Sequence, residues 1–186
     1  MDDADAQVSM SIGATAVRDH ADRETALEDA YDEYALSLYR YALSILGSAD
    51  DAEDAVQEVF IRLARDRKLL RRARSVKAYL LTAARNSAYS ILRARRCRDW
   101  LTEDLRWDSH PPASGVAESV VQSNALREAL AELPVEQREV LVLKAYEGLT
   151  FREIAQVSGA SVSTVTSRYQ YGIARLRRAL GEDQDG

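Results

Sequence analysis

The chain reads as an all-α protein of two small helical domains joined by a flexible acidic linker. Three observations carry that reading. Apolar residues recur at alternating steps of four and three over most of residues 27–98 and again from near Val116, and no β-rich segment with period two is found. Residues 99–116 break the pattern: Asp99 to Asp108 is acidic, Pro111-Pro112 forbids helix, and Ser114-Gly115 loosens the chain. A length of 186 residues leaves room for one ordinary domain or two small ones.

The elements follow in order. Residues 1–24 have few large apolar side chains and no sustained period, as expected of a disordered acidic tail. Leu27, Tyr31, Tyr34, Leu38, Tyr41 and Ile45 share one face of a first helix, which Gly47 ends by taking a left-handed conformation. Ser48 is the expected N-cap of a second helix, with Asp50 and Asp51 favourable in its first turn. Its buried stripe is Ala52, Val56, Val59, Phe60 and Leu63. A basic connector, Arg65 to Arg74, leads to Ser75, the N-cap of a third helix. One side of that helix carries Val76, Tyr79, Leu80, Ala83, Ala84, Ala88, Ile91 and Leu92. The other side and far end carry Lys77, Arg85, Arg93, Arg95, Arg96 and Arg98. The first domain is therefore 25–98 and the linker 99–116. The second domain, 117–181, is interrupted at Leu133-Pro134 and resumes through Val135 to Glu147, with Pro134 suited to a first helical position. Residues 182–186 form a short tail.

Composition narrows the function classes. Hydrophobic residues at 46% and charged residues at 30% are the balance of a soluble globular protein. No apolar run approaches the roughly 20 residues a bilayer span needs, so no membrane insertion is expected. The start, MDDADAQVSM, lacks the basic opening and apolar core of a signal peptide, which makes a cytoplasmic protein the expectation. Lone Cys97 fits a reducing compartment and excludes a disulfide within the chain. With only His20 and His110 beside it, no soft-ligand zinc site can be assembled; neither a metal nor a cofactor is expected.

The net charge of −5 conceals a sharp division. It is −4 over residues 1–24, −8 over 25–60, +12 over 61–98, −4 over 99–126 and −1 over 127–186. An acidic block followed directly by a basic one implies two different partners on one domain.

The C-terminal stretch Thr150 to Leu180 predicts a helix-turn-helix that binds DNA. Thr150-Phe-Arg-Glu153 is a capping box after Gly148, and Ile154, Ala155 and Val157 give the apolar face of a short helix ending at Gly159. Ser161 caps the next helix, with Val162 and Val165 facing inward and Gly181 following its end. Two helices joined by such a turn offer the second to the major groove. That geometry turns Ser163, Thr164, Thr166, Ser167, Gln170 and Tyr171 toward base edges and leaves Arg168, Arg175 and Arg177 for phosphates.

With these residues assembled, the chain resembles bacterial sigma factors of the extracytoplasmic-function (ECF) type. The likeness covers about residues 27–98 and 118–180. It rests on LYRYALSILGSADDAEDAVQEVFIRLA (Leu38 to Ala64) and KAYLLTAARNSAYSILRARR (Lys77 to Arg96). At the C-terminus it rests on ALAELPVEQREVLVLKAYEGLTFREIA followed by VSTVTSRYQYGIARLR. A helix-turn-helix alone occurs in many regulators; these strings in this order are far more specific.

The resemblance implies a region 2 bundle followed by a region 4 helix-turn-helix, which together direct core RNA polymerase to promoters. Docking on the clamp helices of the largest polymerase subunit would fall to Asp51, Glu53, Asp54, Gln57 and Glu58. Recognition and melting of the −10 promoter element would fall to Tyr79, Arg85, Asn86, Arg93 and Arg96. The −35 element would be read by the recognition helix, with Lys144 touching DNA just before it, and the second domain would meet the flap of the second-largest subunit. Further partners implied are promoter DNA and an anti-sigma factor. The acidic linker (Asp99, Glu103, Asp104, Asp108) resembles the segment threaded toward the RNA exit path. The chain departs from many members in having Tyr79 for Trp and Ser90 for Asp. Thr166 and Tyr171 stand where many carry Arg or Lys, so the −35 sequence does not transfer.

Three other classes fit the sequence less well. A two-component regulator needs an α/β receiver, whereas residues 25–98 read as helices. A nucleic-acid enzyme needs a metal cluster, phosphate loop or nucleophile motif, and none is found; the acidic string at 50–54 could hold Mg²⁺ but suits a docking face better. An architectural DNA binder sits poorly with net acidity.

Overall fold

The computed structural model describes residues 26–66, 73, 75–102 and 124–181. The described residues are all-α, with no strand among them. We number the helices α1 (26–46), α2 (Ala49–Arg65), α3 (Val76–Thr102), α4 (Asn124–Ala131), α5 (Val135–Ala145), α6 (Phe151–Ser158) and α7 (Val162–Ala179). None is long and apolar enough to cross a membrane. The acidic tail, the basic connector over 67–72, the linker from residue 103 and the last five residues lie outside the described residues.

Local chemistry sets most boundaries. Gly47 takes a φ of 68°, and its N–H donates to the Leu43 carbonyl at 2.8 Å, closing α1. The Ser48 hydroxyl accepts from the Asp51 N–H, starting α2, and Ser75 Oγ accepts from the Ala78 N–H at 3.2 Å, starting α3. α3 runs through Thr102, past the expected end at residue 98, because Asp99 to Thr102 contains neither Pro nor Gly. Pro134 stands one residue before the first position of α5, with ψ of 140°. There its carbonyl still accepts from the Arg138 N–H at 3.0 Å.

The buried stripes follow helical spacing. Leu38, Tyr41 and Ile45 from α1 pack with Ala52, Val56, Val59, Phe60 and Leu63 from α2, and with Leu80, Leu81, Ala84 and Ala88 from α3. Tyr31, expected on the same stripe, is 54% exposed and meets Phe60 of the core edge-on. The same core continues without a break into Val140, Val142 and Leu143 of α5, Ile154 and Val157 of α6 and Val165 of α7. The two helical groups therefore pack directly on one another, α3 against α6.

A smaller cluster of Leu130, Leu133 and Leu141 ties α4 and α5 to Ile173 and Leu176 of α7. Here Gly172 has a purpose. A Cβ added to it would lie 2.9 Å from Leu141 Cδ1 and 3.5 Å from Gln137 Cβ, so the missing side chain lets α7 lie close against α5. Gly172→Val should therefore destabilise the C-terminal group by about 1–3 kcal/mol through overpacking. Thermal or urea unfolding reads this directly; an unchanged midpoint would show that α5 and α7 part freely.

Candidate nucleic-acid and polymerase interfaces

The helix-turn-helix is built from short-range bonds. Thr150 Oγ1 accepts from the Glu153 N–H at 3.3 Å, while Glu153 Oε2 accepts from the Thr150 N–H at 2.7 Å. The Thr150 hydroxyl also donates to Glu153 Oε2 at 2.7 Å, and this bond first, then the one from the Thr150 N–H, holds the Glu153 carboxyl below its ordinary pKa. Gly159 ends α6 in the left-handed region at φ 68°, and Ser161 Oγ accepts from the Thr164 N–H at 3.1 Å to start α7. Fully buried Ile154 and Val165 pin the two helices together. Val162, expected to face inward, is 47% exposed, since the first turn of α7 projects beyond the short α6.

What α7 leaves uncovered is a row of small polar side chains. Ser163, Thr164, Ser167 and Gln170 are exposed, Tyr171 is 66% exposed, and Arg175 continues the row. Arg168 and Thr166 are half-buried, and the Thr166 hydroxyl donates to the Val162 carbonyl at 2.9 Å, leaving its methyl group and lone pairs to the surface. Lys144 is held at the base of the unit: its Nζ donates to the Leu149 carbonyl at 3.1 Å and lies 5.3 Å from the Phe151 ring.

The acidic surface belongs to α2. Glu53, Asp54 and Gln57 are exposed, and Glu58 is half-buried and paired with Arg62 at 2.6 Å. Asp51 instead turns toward α3 and pairs with Arg95. Beside this face, Tyr31, Ala35, Leu36 and Tyr39 of α1 line a groove closed on its other edge by Glu53 and Gln57. The groove thus has a largely apolar floor and a polar rim.

On α3 the expected set divides. Asn86, Arg93 and Arg96 are exposed and Tyr79 is half-buried. Arg85 is half-buried and turned toward α5. Its Nε donates to Glu139 Oε1 of α5 at 2.5 Å, its guanidinium lies 4.3 Å from the Tyr89 ring centroid, and its side chain is 19% exposed. Burial works against the Arg85 charge, yet hydrogen bonding and attraction from Glu139 outweigh it and raise the pKa.

Glu139 is the residue the sequence reading passed over. It is fully buried and also accepts from Tyr41 Oη at 2.6 Å and Tyr89 Oη at 3.1 Å. Burial first, then the negative charge of Glu139, push both phenols well above their ordinary pKa. The available signal was spacing: Glu139 lies four residues from both Val135 and Leu143, an acid in the middle of an apolar face. Among the described residues no group of three or more His, Cys, Asp and Glu is placed to hold a metal ion.

Comparison with known proteins accords with this geometry. The Sigma-70 region 2 family model matches residues 30–98, and the Sigma-70, region 4 model matches residues 123–176. The ECF RNA polymerase sigma factor SigL of Mycobacterium tuberculosis is 34% identical over 162 residues, covering 86% of this chain and 92% of that one. The ECF RNA polymerase sigma factor RpoE of Cereibacter sphaeroides is 31% identical over 168 residues, covering 89% and 91%. Among solved structures, the sigma factor RpoE of Bartonella quintana, crystallised with the anti-sigma factor NepR, matches with a TM-score of 0.69. It is 25% identical and covers 88% of this chain and 99% of that one. The chain belongs to the ECF family of RNA polymerase sigma factors.

Proposed function

We propose that the chain binds core RNA polymerase and directs it to promoters by reading the −10 and −35 elements. The observation that carries the reading is the arrangement of three unlike surfaces on one chain: an acidic α2, a basic α3 and a recognition helix α7 that opens on small uncharged polar residues and gathers its arginines farther along. In this reading α2 docks on the clamp helices of the largest subunit through Glu53, Asp54, Gln57 and Glu58, with Asp51 at its margin. Tyr79, Arg85, Asn86, Arg93 and Arg96 hold the −10 element, where an aromatic face and cations stabilise an unpaired strand. Ser163, Thr164, Thr166, Ser167, Gln170 and Tyr171 read the −35 element, with Lys144, Arg168 and Arg175 on phosphates. The second group of helices meets the flap of the second-largest subunit. The chain acts in the cytoplasm, supplies recognition and no bond-making chemistry, and answers to an anti-sigma partner.

The base-reading start of the recognition helix, residues 162–167, carries no charged side chain, which fits a two-part reader. Each phosphate neutralised contributes about 0.9 to the salt slope on duplex DNA, so binding through the α7 arginines should be strongly salt-dependent, and the polymerase and α3 supply the remaining affinity. Run-off transcription tests the whole reading. Core polymerase with the chain should yield promoter-length transcripts from genomic templates that core alone does not produce. Failure to bind core, or to initiate from any promoter in a genomic library, would refute it.

A further inference from the structure

We propose that the −35 element read by this chain is rich in A·T pairs and that Gln170 is its specificity-determining residue, paired with an adenine in the major groove. The proposal rests on the assignment of −35 reading to α7 made above and adds the class of sequence that the helix selects.

The inner side of α7 is fixed by packing. Val165 and Gly172 are buried, and Tyr169 and Leu176 are partly buried against the core. On the opposite side, Ser163, Ser167, Gln170 and Ala174 follow at steps of four and three and are all exposed, with Tyr171 beside them. Ser163, Ser167 and Ala174 are short, so the helix can lie deep in a groove. Gln170, near the middle of this ridge, is long enough to reach past them to a base edge.

What the ridge lacks toward its start is a cation. Guanine is read most often by Arg or Lys, whose donors face its O6 and N7. Residues 162–167 carry no charged side chain. Arg168 is half-buried and stands about 100° around the axis from Ser167, away from the ridge. Arg175, Arg177 and Arg178 begin about 18 Å along the helix from Ser163, whereas the N-terminal residues of a recognition helix meet the bases. Arg152 lies on α6, and the first helix of such a unit crosses the backbone. Lys144 is held by the Leu149 carbonyl and the Phe151 ring.

The hydroxyls at the start of α7 are largely committed. Ser161 Oγ accepts from the Thr164 N–H and lies 2.8 Å from both Ser163 Oγ and Thr164 Oγ1. With one proton and two lone pairs, it accepts from one of these hydroxyls and donates to the other. The Thr166 hydroxyl donates to the Val162 carbonyl at 2.9 Å, which leaves its methyl group and lone pairs for the groove. Hydroxyls serve either kind of base pair, so these groups do not choose guanine. The Gln170 amide does choose. It accepts from adenine N6 while donating to N7, a pairing that the other bases do not offer in the major groove. The Thr166 methyl and the exposed Tyr171 ring suit the methyl group of thymine. Amide, methyl and ring all favour A·T.

Selection by the holoenzyme tests this. Core polymerase carrying the full chain is given a pool of templates built on one promoter that it uses, differing only in a randomised −35 element. Heparin-resistant complexes are recovered and sequenced. Wild type should enrich A·T pairs, with A favoured over G by about fivefold or more at one position at least. Gln170→Arg should turn that position from A to G, and Gln170→Ala should make it indifferent, while preferences elsewhere move less than twofold. A residue that only supported the helix would not change one letter of the selected sequence. A wild-type pool enriched in G·C pairs, or variants that keep the wild-type preference at every position, overturns the proposal. If wild type shows no preference anywhere in the −35 element, while changes in the −10 element still abolish the complexes, the −35 assignment to α7 falls and takes the proposal with it.

Discussion

Reversing two charges on α2, Asp54→Lys with Glu58→Lys, should lower affinity for core polymerase at least tenfold while leaving the free chain's binding to a −35 duplex unchanged. The expectation follows from where these groups sit. Asp54 is exposed, Glu58 is half-buried, and neither contributes to the hydrophobic core. The fold loses only the exposed Glu58–Arg62 pair, one helical turn apart, which is worth about 0.3–0.5 kcal/mol. An interface built for acidic groups meets two cations instead, and like charges brought together cost several kcal/mol, while tenfold in affinity is about 1.4 kcal/mol. Binding measured by fluorescence anisotropy at two salt concentrations reads the change; the deficit should shrink as salt screens it. Retained core binding with lost DNA binding would assign α2 to the wrong partner.

The same pair of residues shows why the acidic surface was legible. Charge on an exposed helical face needs no knowledge of the fold, only the period of 3.6 and the apolar stripe opposite. Helix ends were legible for a similar reason. Ser48, Ser75, Thr150 and Ser161 bond to backbone within three residues, and Gly47 and Gly159 need only their own φ. Gly172 was half-legible: its place in mid-helix hinted at close packing, but Leu141 as the neighbour emerges only in three dimensions.

What the sequence concealed lies at long range. Tyr31 shares the periodic stripe of Leu38 and Tyr41, yet periodicity does not say how far along α1 the neighbouring helices extend. Val162 is exposed because α6 is only 8 residues long. Arg85 looked like a free cation on a basic helix, and its partner stands 54 residues away. Glu139 itself draws no notice in the sequence, because its partners belong to a group of helices on the far side of the linker. A carboxylate amid valine and leucine is a question the local sequence poses and only the packing answers.

The buried phenols should make the folded chain unusually sensitive to alkali. Tyr41 and Tyr89 have folded-state pKa values raised above the ordinary 10.0. Burial is the main cause; Glu139 of α5 raises both values further, Glu136 adds to that of Tyr89 and Tyr89 to that of Tyr41, while Arg85 of α3 opposes the shift. For an acid whose folded pKa exceeds its unfolded value, the folded state holds the proton longer. The associated stability is fully present below pH 10 and is lost as pH rises toward the folded-state values. Above pH 10 each of the two tyrosines should remove about 1.4 kcal/mol per pH unit. Tyr41→Phe separates this from general alkaline denaturation. Near pH 8 the variant should be less stable by about 1–3 kcal/mol, because Glu139 loses its hydroxyl donor. Between pH 10 and 11 its stability should fall less steeply than wild type by about one proton's worth, so the two unfolding curves converge. Urea unfolding followed by circular dichroism at half-unit pH steps gives both slopes. Parallel slopes would mean that Tyr41 ionises as freely in the folded chain as in the unfolded one, which the 2.6 Å bond to a buried carboxylate opposes.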